Sequence, residues 1–329
     1  MEKLICIISF LFFLSGYAQS QNPDSLDIDK AAYKIITAGL KPDFLAVDGD
    51  AVWVVDDHQN RIIKIGLFAV TPLLKITIPE ACTAPVVGFN ALWVMSCSEK
   101  ILYKIDHQTG KVLAKIATGM ADEKGEMSIA IAAGSVWLLA DSAGLLIRVN
   151  PKTNNIKTRI KVLPDSYCVV AGRQVVWVSN YRNNSVQKID TKTNKILSTI
   201  AVGLNPRFIT AAGKWVYTLN QGDGTITKID AISNKVVATI NVNAKGPGGD
   251  INADGKRVWV KSTNTEVPLQ TINVATNKIE KIYKQNFKNG EAFKVDGAVR
   301  VTKKYVWVSG YYNKTIWILK NSMNNFNTN

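Results

Sequence analysis

An aromatic-centred apolar run that returns seven times, a spacing of 40 to 48 residues between its copies, and a turn-forming cluster at a fixed distance after each copy together predict an all-β fold, a seven-bladed β-propeller. The run reads VWVV around Trp53, LWVM around Trp93, VWLL around Trp137 and VWVS around Trp177. It returns as VYTL around Tyr217, VWVK around Trp259 and VWVS around Trp307. Thirteen residues after the anchor a further strand ends, at Gly66, Asp106, Asn150, Asp190 and Asp230, and fourteen residues after it in the sixth unit, at Asn273. The turns that follow (DHQTGK, NPKTNN, DTKTNK, DAISNK, NVATNK) carry the Asn, Asp, Gly and Pro that reverse a chain. An outer strand comes next, as in KVLAKIA and KILSTIAV, so each unit has an inner strand, the aromatic strand, a third strand and an outer strand.

The seventh unit stops after its third strand, at 316–320, and lacks an outer one. The segment YKIITA (33–38) has the outer-strand pattern and precedes the first full unit. Set beside the last blade, this N-terminal strand closes the ring and removes two exposed sheet edges. One large ring per blade, in mid-strand, fits a wedge between blades better than a stacking platform for sugars.

Residues 1–20 read as a signal peptide, with Lys3, an apolar stretch over 4–14 and the small residues Gly16, Ala18 and Ser20. That stretch is too short for a membrane-crossing helix, and no later segment of the mature chain is apolar enough for a membrane span. The reading places the protein in the periplasm or outside the cell, as a monomer. Residues 21–30 and 321–329 are polar and read as loose ends around a propeller domain of 31–320.

Net charge is +14, spread over turn segments such as Lys192, Lys195, Lys235 and Lys278 rather than gathered on a helix or arm. That distribution describes a solvated rim and argues against nucleic acid as a partner. Cys6 lies in the signal segment, which leaves three cysteines and room for one bridge. Cys82 and Cys97, in two loops of the same blade, are the pair expected to form it. Cys168 opens an inner strand and reads as a small buried residue.

Ligand sites of propellers lie over the central channel, on the face carrying the loops into the inner strands. Two positions per blade are expected nearest the channel. The entrance to the inner strand holds Asp43, Met127, Tyr167, Arg207 and Gly249; the position three residues past the anchor holds Asp56, Asn180 and Asn220. Asp43, Asp56, Tyr167, Asn180, Arg207 and Asn220 thus form the predicted polar lining, suited to a small polar or anionic ligand. Asp43 and Asp56 also read as paired carboxylates or Ca²⁺ ligands, or as a turn residue and a strand-end cap. His58 and His107 fall on opposite faces and cannot share a metal or a proton relay. The segment GPGGD (246–250) reads as a flexible loop, and no HExxH, GxSxG or phosphate-binding glycine motif is present.

The stretch VWVSNYRNNSVQKIDTKTNKILSTIAVGLNP (176–206) resembles the YVTN-type propeller repeat of YncE-like proteins, and similar units cover nearly the whole mature chain. The chain is also similar to the streptogramin (virginiamycin B) lyase propellers. That likeness implies elimination on a cyclic depsipeptide with Mg²⁺, His at the strand entrances and Glu after the aromatic strand. The matching entrances here hold Asp43, Tyr167 and Arg207, and the matching strand ends Asp56, Asn180 and Asn220, without the His pair. The leading functional reading is a non-catalytic binding propeller for a small ligand, a glycan or an envelope protein. A lyase-like enzyme using Asp56, Tyr167 and Arg207 around a divalent metal is the alternative, and a structural partner in an envelope complex is a third.

Overall fold

In a computed structural model of the protein, the described residues are 23–37, 41–56, 60–69, 71–121, 127–140, 143–284 and 296–321. Residues 1–20, read above as a signal peptide, His58 and the residues beyond 321 lie outside them. Seven small, mainly antiparallel sheets follow one another round a ring, and in each the strands of one sequence unit are hydrogen-bonded in chain order from the inner strand outward. Blade four shows the plan, with Ser166–Ala171, Val175–Asn180, Ser185–Asp190 and Ile196–Ala201. The closing strand is Ala32–Thr37, antiparallel to Thr315–Lys320 with Thr37 opposite Thr315, so the ring closes as the sequence predicts.

Seven apolar clusters fill the seven seams between blades. Trp53 of blade one packs with Leu92, Val94 and Ile105 of blade two. The same relation joins Trp93 to Val136 and Leu138, Trp137 to Val176 and Val178, and Trp177 to Ile209 and Val216. It continues with Tyr217 against Val258 and Val260, Trp259 against Val306 and Val308, and Trp307 against Val52 and Val54 of blade one. Trp53, Trp93, Trp137, Trp177 and Trp307 are fully buried. The anchors are wedges, and truncating one to Ala costs about 3–5 kcal/mol.

In blades one to five a cation on the third strand lies directly across from the anchor and reaches into the next blade. Lys188, opposite Trp177, has its Nζ 5.1 Å from that ring and donates to Ala231 O at 2.7 Å and Asn234 Oδ1 at 2.8 Å. Lys64, Lys104, Arg148 and Lys228 repeat the contact on His107 O, Pro151 O, Thr191 O and Val274 O. Lys34 of the closing strand makes the equivalent bond from blade seven to Leu67 O of blade one, at 2.6 Å. The turn residues explain the acceptor. Asp190 Oδ1 takes the N–H groups of Lys192 and Thr193, which holds the turn open, and Asn194 sits at φ 59°. Asn154, Asn234 and Asn277 hold the same left-handed place. Asparagine tolerates that conformation as glycine does, and its side chain adds an acceptor for the neighbouring cation.

Two segments depart from the sequence reading. Asp24–Asp27, expected to be loose, is a fifth strand on blade six, parallel to Ile279–Lys284. A single helical turn follows at Ile28–Ala31, capped by Asp27, with Ile28 buried in the seam between blades six and seven. A polar segment thus gains order from one aliphatic anchor and an open sheet edge. GPGGD is the second departure, because Gly249 and Asp250 begin the inner strand Gly249–Ala253 of blade six.

Lys188→Met is expected to lower the unfolding free energy by about 2 kcal/mol by stranding two acceptors. Asn234→Gly keeps the turn and should cost under about 1 kcal/mol, and the double variant should lose less than the sum. Additive losses in urea melts would mean that the cation and the turn do not act as a unit.

Candidate functional site

The first residues of the inner strands converge on a cavity of about 420 Å³ at the mouth of the ring. Blade one contributes Asp43 and Phe44, blade four Tyr167 and Cys168, and blade five Arg207 and Phe208. Blades six and seven contribute Pro247 to Asp250, Asp296 to Ala298 and Arg300, with Tyr311 and Tyr312 at the edge. A shallower groove of about 600 Å³ lies between blades five and six, where Lys228 and Asn277 already bind each other.

Of the six predicted lining residues, Asp43, Tyr167 and Arg207 meet in this cavity. The Arg207 guanidinium lies 4.7 Å over Tyr167 and 5.6 Å from Phe208, and its Nη1 donates to Pro247 O at 2.9 Å. Tyr167 is braced edge-on by Tyr181 at 5.1 Å. Tyr311 and Tyr312 meet edge to face at 4.9 Å, and Tyr311 N donates to Asp296 O.

Asp56, Asn180 and Asn220 do not line the cavity; each is buried within its own blade. Asp56 accepts from Lys41 N at 2.8 Å and pairs with Arg61. Asn180 bonds to Ser166, Ser185 and Gln187, and Asn220 to Thr218, Thr225 and Thr227. The second strand stands one ladder spacing back from the axis, so its end knits loops together instead of facing the channel. The metal reading loses its carboxylate with Asp56. Among the described residues no three of His, Cys, Asp and Glu gather as metal ligands.

The acidic wall at blades six and seven went unread in the sequence. Asp250 Oδ2 pairs with Arg300 and accepts from Val299 N at 2.9 Å, while Oδ1 accepts from Ile251 N. Asp296 Oδ1 accepts from Gly297 N at 2.8 Å. Gly249 at φ 121° and Gly297 at φ 127° open these two inner strands, and a Cβ on either would come within 2.4 Å of a second-strand carbonyl. Behind the wall stands Lys261, 2 % exposed, whose amine burial pulls down to about 7, against the opposing pull of Asp296 and Asp250. The readable signal was Lys261 itself, at the place where other blades carry Val55, Met95, Leu139, Ser179, Leu219 and Ser309.

Cys82 and Cys97 form the expected disulfide, with Cα atoms 5.8 Å apart. It ties down Thr83–Ala84, a short strand lying parallel to Met127–Ser128 of blade three, and Ala84 reaches the cavity. Cys168 stands on the cavity wall, half-buried rather than enclosed, with burial pushing its thiol up, which makes it a poor nucleophile at neutral pH.

No protein-family model matches the chain, and no curated protein sequence does. Solved structures do. Virginiamycin B lyase from Staphylococcus aureus superposes with a TM-score of 0.71 at 14 % identity, over 87 % of this chain and 98 % of that one. A streptogramin B lyase gives 0.71 at 15 % identity, over 87 % and 97 %. BamB from Moraxella catarrhalis gives 0.59 at 10 %, over 85 % and 83 %. At these identities the likeness is one of fold.

Because the amine of Lys261 holds its proton less tightly when folded, the unfolded chain binds more protons between pH 7 and 10, and native stability rises through that window. The stability of the wild type minus that of Lys261→Met is expected to climb by about 1.4 kcal/mol per pH unit there. Denaturant melts at pH 6.5, 8 and 9.5 check it; a flat difference sinks the assignment.

Proposed function

We propose that the protein is an exported binding propeller that holds a small, hydroxyl-rich ligand, such as the end of a glycan, in the cavity at the mouth of its ring. The observation that carries this reading is the convergence of Asp43, Tyr167 and Arg207, from three separate blades, on one cavity of about 420 Å³. That volume lies within the range of small-molecule sites. Three carboxylates (Asp43, Asp250, Asp296) face two guanidiniums (Arg207, Arg300), so the charge is nearly balanced. Aromatic rings from Phe44, Tyr167, Phe208, Tyr311 and Tyr312 stand among them. Rings offer flat apolar faces, and charged groups accept and donate strongly to hydroxyls. A neutral polyol with apolar ring faces matches both and carries no charge that must be stripped of water. The apolar stretch over 4–14 and the disulfide support export to an oxidising compartment.

The lyase-like alternative needs Asp56 at the reacting centre with a metal. Asp56 is committed to Arg61 and Lys41 inside blade one, so that catalytic set is not assembled.

A thermal-shift screen of the purified protein against mono- and disaccharides tests the proposal. A ligand at a hundred times its Kd adds about 2.7 kcal/mol of stability and raises Tm by several degrees. Arg207→Ala and Asp43→Ala are expected to abolish that rise. Asp56→Ala should lower the Tm of the free protein and leave the rise intact. A hit whose shift survives both Arg207→Ala and Asp43→Ala places the site elsewhere.

A further inference from the structure

The seam between blades six and seven holds a group that ligand binding leaves unused. Lys261 is 2 % exposed, and no acceptor among the described residues lies within hydrogen-bonding distance of its Nζ. Its partner across the ladder is Asp250, and opposed residues of an antiparallel pair send their side chains to the same face. That face is turned to blade seven, where Asp250 binds Val299 N and Arg300. Asp296 and Asp250, the carboxylates that act on the amine, both line the cavity. Every other seam of the ring packs a neutral residue at this place. A lysine kept there, almost wholly buried beside two carboxylates of the cavity wall and with no fixed hydrogen-bond acceptor, is the arrangement that turns an amine into a nucleophile.

We propose that Lys261 captures small carbonyl compounds entering the cavity, as an imine on Nζ. The nitrogen lone pair forms a bond to the carbonyl carbon, and a proton from nitrogen passes to the oxygen, with Asp296 the carboxylate that acts most strongly on the amine. The carbinolamine then loses that oxygen as water, taking both amine protons, and a C=N bond remains. No oxidant or reductant enters. The inference rests on the cavity as the place where small molecules enter, and is independent of their being glycans.

An ordinary lysine at pH 7 is unprotonated in roughly one molecule in two thousand. With its amine near 7, Lys261 is unprotonated in about half. The test treats the wild-type protein with glycolaldehyde and cyanoborohydride at pH 7, which reduces any imine to a stable secondary amine, and maps the adducts by peptide mass spectrometry. At low conversion Lys261 is expected to be modified at least tenfold faster than the median exposed lysine. That advantage should vanish in urea-unfolded protein and fall away below pH 6. Modification of Lys261 no faster than exposed lysines, or none, overturns the inference. Failure of the glycan reading shows separately, as a flat saccharide thermal-shift screen without reductant.

Discussion

The ring depends on one repeated contact, a cation lying over the anchor aromatic of its own blade and donating to the turn of the next. Apolar packing alone would let blades slide along their seams, because dispersion has no direction. The Lys188 amine fixes the register, since its two acceptors, Ala231 O and Asn234 Oδ1, occupy one place on the neighbouring turn. The contact uses part of the net charge of +14 in positions that look like surface lysines in the sequence. Each ammonium is partly desolvated, stacked and hydrogen-bonded at once, a setting where a cation over an aromatic ring contributes more than it does in water. Selection for Asn at the left-handed turn position and for Lys or Arg opposite the anchor is therefore one constraint seen from two blades.

The seam between blades six and seven is where that contact is missing. Thr271 stands opposite Trp259 in place of a cation, and Trp259 Nε1 and Thr271 Oγ1 are buried without partners among the described residues. Trp259 stacks instead on Tyr283, at 5.7 Å. The N-terminal segment covers the deficit, with Ile28 filling the seam and Asp29 accepting from Trp317 Nε1 at 2.7 Å. Freed from the regular latch, the inner end of the seam carries Asp250, Arg300 and Lys261, and the cavity's acidic wall is built there.

The fold was legible because each blade repeats the same solution to the same packing problem, so seven weak signals add up. Closure was legible for the same reason, from one blade short of a strand and one strand short of a blade. The cavity lining was legible only where a blade departs from its neighbours through a side chain. Asp43, Tyr167 and Arg207 were placed on the lining that way. Asp250 and Asp296 were not, because GPGGD looks like a loop when only its glycines are read. The glycines there serve close approach to the second strand, and the carboxylate beside them is held by Arg300, some 50 residues on. Asp56, Asn180 and Asn220 misled because polar residues at a regular spacing serve knitting as readily as binding.

The closing strand ties residues 32–37 to residues 315–319, so the first and last parts of the barrel-like ring are neighbours in space and remote along the chain. A nascent chain therefore has no partner for this closing strand until the final blade has been made. Such long-range pairing slows folding, because the loop entropy must be overcome before the contacts form. The architecture therefore commits the polypeptide to one cooperative structure only once both of its ends are available to pair.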